Sequence, residues 1–248
     1  MKKSLFLLLI ILLSVSCAPR RWVMTGYKTS KIAIDATTDS LADKKMQAYI
    51  LPVKQNLDKE MDQIIGTSDE VMKAGKPESL LSNWNSDVYR IAAAEYLKEP
   101  VDMAVVNMGS LRSPLPAGNI RVRDIFQLMP FENELVILWL KGSDVIKLME
   151  IFAKEGGQGV SGISMEIKED KPENILIGGQ PINPEKLYSI ATNDYLAGGN
   201  DRMVPLATPA KRVDTGLKIR NILMEYVIRE NRNGRHIGST LDGRITIR

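Results

Sequence analysis

Two apolar runs in this chain each end abruptly in a polar, glycine-bearing loop, and that pairing limits the fold more than any other feature. The first is VDMAVVN (101–107), which enters MGSLRSPLPAGNI (108–120). The second is LYSIATND (187–194), which enters YLAGGND (195–201). Short runs of aliphatic and β-branched residues bounded by turn formers read as strands. Both runs read as buried strands. Helical segments lie between and around them. Apolar residues recur at helical spacing through Leu41–Ile65, with Pro52 as a kink or break and Gly66 as a stop. A second helix is expected over Leu80–Leu97, capped by Ser79 or Asn83 and ended by Pro100. Further helices are expected over 121–129, over 143–157 with Ser143 as its cap, and over Asp214–Arg232. Strands are expected at 134–142, as a pair at 162–170 and 173–179, and at 243–248. No repeat period is visible. Mixed helices and strands with hairpin-like pairs favour an α+β fold of mixed α/β layers over a purely parallel sheet.

The first residues, MKKSLFLLLIILLSVSC, place two lysines before a short apolar run and small residues before Cys17. That run is short for a bilayer span, and the arrangement is that of a bacterial lipoprotein signal. Cys17 is the chain's single cysteine, so it forms no internal disulfide and stands where lipidation requires it. The leucine usual at three residues before the cysteine sits one place further away, as Leu13. An ordinary secretory signal with an incidental cysteine is the alternative. The expected organisation is a signal peptide at 1–16, a tether at 17–40 and one domain at 41–248, in the bacterial cell envelope and anchored to the membrane through lipid. The basic APRRW at the start of the tether suits either an anionic membrane surface or a plain spacer.

Composition excludes several function classes. The net charge of +3 falls to +1 once the leader removes Lys2 and Lys3, which leaves no basic stripe for a nucleic acid polymer. The single histidine, His236, cannot form a multi-ligand metal site or a Ser/His/Asp arrangement, and reads as a surface or turn residue. No catalytic residue and no metal ligand is assigned.

Several short motifs then occur in a fixed order: ESLLSNWNSDVYR (78–90), NMGSLR (107–112), LPAGNIRV (115–122), PFEN (130–133), VSGI (160–163) and ATNDYLAGGND (191–201). The series resembles the C-terminal, substrate-binding domain of the 5′-nucleotidases, a family that includes UDP-sugar hydrolases and 2′,3′-cyclic phosphodiesterases. The family pattern runs E-S-x-x-G-N, N-G-G-x-R, P-x-G-x-I-T, P-F-x-N, S-G and T-N-x-x-x-x-G-G-D, and the resemblance spans about residues 45–247. Each motif alone is weak; their order and spacing make the resemblance specific. Departures are Ser82 and Met108 at family glycines, a G-G-D segment that aligns either as a shifted glycine pair or with Asn200 in place of the second glycine, and no clear counterpart near Pro77 of a family arginine.

The resemblance implies that a nucleobase stacks between Phe131 and Tyr195; such stacks contribute about 1–3 kcal/mol each with little base preference. It implies that Asn107 hydrogen-bonds base or ribose, that Arg112 reaches the phosphate or ribose side, and that Asp201 accepts from ribose hydroxyls. Gly109, Gly198 and Gly199 would let the backbone approach a ligand or adopt positive φ. Plainer readings stay open: Phe131 and Tyr195 in the core, Asn107 closing a turn, Arg112 solvated, Asp201 in an Asx-turn. Family hydrolases cleave phosphate esters with two metals held about 3.5–4 Å apart in a separate N-terminal domain, which the chain does not resemble. The resemblance therefore implies a nucleotide- or nucleoside-recognising substrate domain with no cofactor of its own, acting beside a separate metallophosphoesterase chain that carries the divalent metals. The alternative is a non-catalytic envelope lipoprotein whose pocket has drifted to another binding or interaction role.

Overall fold

The computed structural model describes residues 22–38 and 42–248. The expected signal peptide, Cys17 and Leu41 lie outside the described residues. The chain divides into two units, one ending at Ile50 and one running from Leu51 to Arg248. In the first, residues 22–34 form neither helix nor strand, and no helix among the described residues is long and apolar enough to cross a membrane.

The first helix, α1 (Lys44–Met61), continues through Pro52 and buries none of its residues. It is shorter than expected, and Gly66 does not stop it. Gly66 lies inside strand β1 (Ile64–Ser68), where an added Cβ would collide with Val227. A residue without a side chain is needed there for close packing. Helix α2 (Leu80–Leu97) follows, capped by Ser79 and Ser82 in a reciprocal capping box. Next come β2 (Met103–Val106), β3 (Gly118–Arg121) and the short helix α3 (Val122–Leu128). Strand β4 (Glu134–Lys141) leads into α4 (Gly142–Lys154). Ser143 is not its cap: the helix begins at Gly142, where a Cβ would meet the Asn183–Pro184 backbone, and Ser143 donates its backbone N–H to Pro184 O at 2.9 Å. Strands β5 (Gly159–Ser161), β6 (Ile163–Lys168), β7 (Lys171–Ile177) and β8 (Gln180–Pro181) come next. They are followed by β9 (Leu187–Asn193) and the single-turn helix α5 (Asp194–Ala197). The segment expected as one helix over Asp214–Arg232 is two elements, β10 (Lys211–Lys218) and α6 (Ile219–Arg232). β10 is an edge strand whose charged, largely exposed residues hide its strand character. Strand β11 (Ile245–Ile247) closes the chain.

The central sheet has the order β10-β4-β9-β2-β5, with β2 parallel to β9 and the other pairs antiparallel. A second sheet has the order β11-β6-β7-β8, and β1 pairs with β3. Side chains of the central strands alternate between two apolar cores, as the two-residue period of a strand requires. Ala104, Val106, Leu135, Ile137 and Ala191 pack with α2 and α6, including Trp84, Tyr89 and Leu223. Met103, Val105, Val136, Leu138 and Ile190 pack on the other side with α4 and the second sheet, including Phe152 and Met165. The two apolar runs are therefore buried strands, as expected.

Candidate functional site

The parallel pairing of β2 and β9 brings their C-terminal ends to the same edge of the sheet, Met103 opposite Ile190 and Ala104 opposite Ala191. The antiparallel β4 starts at that edge, with Leu135 opposite Asn193. Three loops therefore meet there: the one after β2, the one before β4 and the one after β9. In sheets with parallel strands, the crevice beyond the strand ends is the usual place for a ligand.

A chain of side-chain hydrogen bonds joins the loops. Asn107 donates through Nδ2 to Asp201 Oδ2 at 2.5 Å, and the Tyr195 hydroxyl donates to Asp201 Oδ1 at 2.9 Å. Asn133 donates through Nδ2 to Asp194 Oδ1 at 2.7 Å, and that oxygen also accepts the Tyr195 backbone N–H at 2.9 Å. Asp201 couples the first loop to the third, and Asp194 couples the second to the third. The bond to Asp201 raises the Tyr195 phenol above its ordinary pKa.

The loops enclose a cavity of about 570 Å³, a size typical of small-ligand sites. Six of the seven residues read from the sequence line it: Asn107, Gly109, Arg112, Phe131, Tyr195 and Asp201. Gly199 does not. It closes the turn after α5 at φ +80°, with an added Cβ 3.1 Å from Ala207. Gly109 and Gly198 do not adopt positive φ. Phe131 and Tyr195 are not core residues, being 40% and 44% exposed on the cavity wall. Asn107 is 6% exposed, and its Oδ1 has no hydrogen-bond partner. Its side chain does not close the turn that follows, since the Ser110 backbone N–H and hydroxyl bond to the Asn107 carbonyl instead, at 3.1 and 2.7 Å. Arg112 is exposed. It reaches Gly109 O at 3.3 Å and stands 6.0 Å from the Phe131 ring centroid, a cation–π distance.

Ser110, Glu132, Asn133 and Asn193 also line the cavity. Sequence reasoning assigned them no role, although the P-F-x-N signal already contains Glu132 and Asn133. It also missed Arg220, which sits on α6, 88 residues from Glu132. Arg220 pairs with Glu132, reaches the carbonyls of Met129 and Phe131 at 3.4 Å, and lies 4.3 Å from the Phe126 ring centroid. It fixes the loop that carries Phe131, a role that only the folded chain reveals.

The charges on the wall are Arg112 against Glu132 and Asp201, so the cavity supplies one cation and two carboxylates. A larger groove of about 660 Å³ holds Arg244, but its guanidinium is committed to Asp87 at 3.0 Å and Asp242 at 2.8 Å. Burial works against that charge, and the two carboxylates more than offset it. His236 is exposed and pairs with Asp69 at 2.5 Å. Among the described residues no three His, Cys, Asp or Glu side chains cluster as metal ligands. This donor set does not fit a two-metal phosphoesterase centre.

The family model of the 5′-nucleotidase C-terminal domain matches residues 64–208, which contain all three loops. Protein UshA of Yersinia enterocolitica is 26% identical over 196 residues, covering 77% of this chain and 36% of that protein. A 5′-nucleotidase of Vibrio parahaemolyticus is 26% identical over 190 residues, covering 75% and 34%. The chain thus spans about a third of the length of these relatives. The crystal structure of a 5′-nucleotidase precursor from Thermus thermophilus has the same fold, with a TM-score of 0.70 at 24% identity over 84% of this chain and 43% of that one. With more than half of its residues matched by the family model, this chain belongs to the 5′-nucleotidase C-terminal domain family.

Proposed function

We propose that the chain binds a nucleoside or nucleotide at this cavity, with the base between Phe131 and Tyr195. The observation that carries the reading is the pair of half-exposed rings lining one cavity, delivered by two separate loops and accompanied by the unpartnered acceptor Asn107 Oδ1. A planar ligand covers the rings, and a ligand N–H or O–H meets the buried acceptor, which is otherwise unfavourable. Asp201 uses one bond on each oxygen and keeps lone pairs for hydroxyl donors. Arg112 supplies the cation for a phosphate or ribose oxygen.

Hydrolysis is assigned to a separate metallophosphoesterase chain that carries the divalent metals, the pair acting in nucleotide catabolism. The single histidine of this chain supports that division of labour. Cys17 is the proposed lipidation site, and the bacterial cell envelope the proposed location. Every residue of the two apolar cores lies between Ile65 and Ile245, so a protein of residues 18–248 retains both. Titration calorimetry of that protein with adenosine, AMP and UDP-glucose tests the reading. Saturable binding that Phe131→Ala weakens by at least about fivefold is the expected result. No heat at millimolar ligand, with and without a cognate phosphoesterase chain, would sink the reading and leave a drifted pocket of another role.

A further inference from the structure

Residues 22–34 carry large apolar side chains that are exposed. Trp22 is 96% exposed, and Val23, Met24, Tyr27, Ile32 and Ile34 are exposed as well. No helix or strand forms there. Exposed apolar groups gathered in one region mark a contact surface. Their charge setting identifies the partner. Residues 22–34 hold Lys28 and Lys31 and no acidic residue, and Arg20 and Arg21 directly precede them in the sequence. The first carboxylate is Asp35, turned into a local bend by bonds from the Thr37 backbone N–H and hydroxyl at 2.9 and 2.6 Å.

We infer that residues 22–34 bind the surface of an anionic phospholipid bilayer. Trp and Tyr favour the headgroup layer, where an apolar ring and a polar edge are both accommodated. Lysines and arginines beside them are drawn to the negative surface potential, an attraction that salt screens. A basic stretch with apolar groups is a membrane signal in its own right. The segment therefore acts whether or not Cys17 is acylated, and independently of the ligand cavity.

Unlipidated residues 18–248 are mixed with vesicles of phosphatidylcholine alone or with about 30% phosphatidylglycerol, at about 50 and 500 mM salt. Co-sedimentation with the anionic vesicles at low salt is expected. It should fall at least about tenfold at high salt, and it should be lost in residues 36–248 and in a Lys28→Glu/Lys31→Glu variant. Blue-shifted tryptophan emission on binding should disappear in Trp22→Phe while Trp84 and Trp139 remain. The inference is overturned by equal partition onto neutral vesicles, by undiminished binding of residues 36–248, or by no partition at all. Nucleotide binding by the same protein is read separately and is unaffected by any of these results.

Discussion

Asn107 and Asn193 are near-equivalents in the fold and opposites in chemistry. Each ends a central strand, the strands are parallel neighbours, and both side chains are buried. Asn193 accepts the Leu196 backbone N–H on Oδ1 at 2.8 Å and so caps α5. Asn107 caps nothing; Ser110 closes its turn, its Nδ2 goes to Asp201, and its Oδ1 is unpartnered. The difference separates an amide that supports the fold from one held ready for another molecule. The same residue type at the same kind of position thus says little until its hydrogen bonds are known.

The largest expected effect is on binding, at the ring rather than at either asparagine. Phe131→Ala should lower nucleoside affinity by about 1–3 kcal/mol, roughly 5- to 150-fold. The ring is 40% exposed, so thermal stability should change little. A comparable loss of stability, read by calorimetric unfolding, would mark Phe131 as a packing residue instead.

The asparagine pair can be broken apart directly. Asn193→Ala removes an N-cap and should destabilise the protein by about 1 kcal/mol, lowering Tm by about 2–4 °C for a domain of this size. Ligand affinity measured well below that Tm should hold. Asn107→Ala should do the reverse, reducing affinity about tenfold through one lost hydrogen bond while Tm moves less than in Asn193→Ala. If Asn107→Ala proves the more destabilising of the two, the amide belongs to the fold and the comparison fails.

The contrast also explains what could be read beforehand. The buried strands were legible because a continuous apolar run flanked by turn formers leaves little choice. The cavity residues were legible through the loop motifs, and six of seven came together because β2, β4 and β9 share an edge. Hydrogen-bond partners were not legible, because they depend on contacts across 94 residues for Asn107–Asp201. Strand β10 was missed for a different reason: as a charged edge strand it buries too little to show alternation, and α6 follows with no break. Gly66 misled because a glycine after a helical run normally signals an end, whereas here it makes room for Val227.

Arg220 sharpens the comparison between the loops at a smaller scale. In the loop before β4, Arg220 of α6 reaches the Phe131 carbonyl and the Glu132 carboxylate, and Lys218 and the Ile219 backbone N–H hold the Glu132 and Asn133 carbonyls at 3.0 Å, whereas the loop after β9 is tied to its neighbours through Asp194 and Asp201. Arg220→Lys keeps the charge but loses the planar fork that spans the carbonyls and Glu132. Affinity should drop by about threefold to tenfold, within the range of one or two hydrogen bonds. Phe131→Ala in the same background should then lower affinity less than it does alone, because the ring is already misplaced. Strict additivity of the two changes would show that Arg220 does not act through Phe131.

The smallest effect concerns the Tyr195–Asp201 bond and depends on pH. The bond raises the phenol pKa in the folded protein above its ordinary value, so the neutral hydroxyl is the form the fold favours. Its contribution to stability is therefore whole below the unfolded tyrosine pKa of about 10 and is lost as pH rises through the higher folded value. Urea unfolding of wild type and Tyr195→Phe should show a small, constant difference from about pH 7 to pH 10 that shrinks above it. Asp201→Asn should bring the Tyr195 titration, followed by phenolate absorbance, back toward the ordinary range. A phenol that titrates identically in Asp201→Asn would mean that Asp201 does not hold the ring. The third loop would then lack the contact that makes its aromatic a fixed wall, and the link from Asn107 through Asp201 to Tyr195 would not operate as a unit.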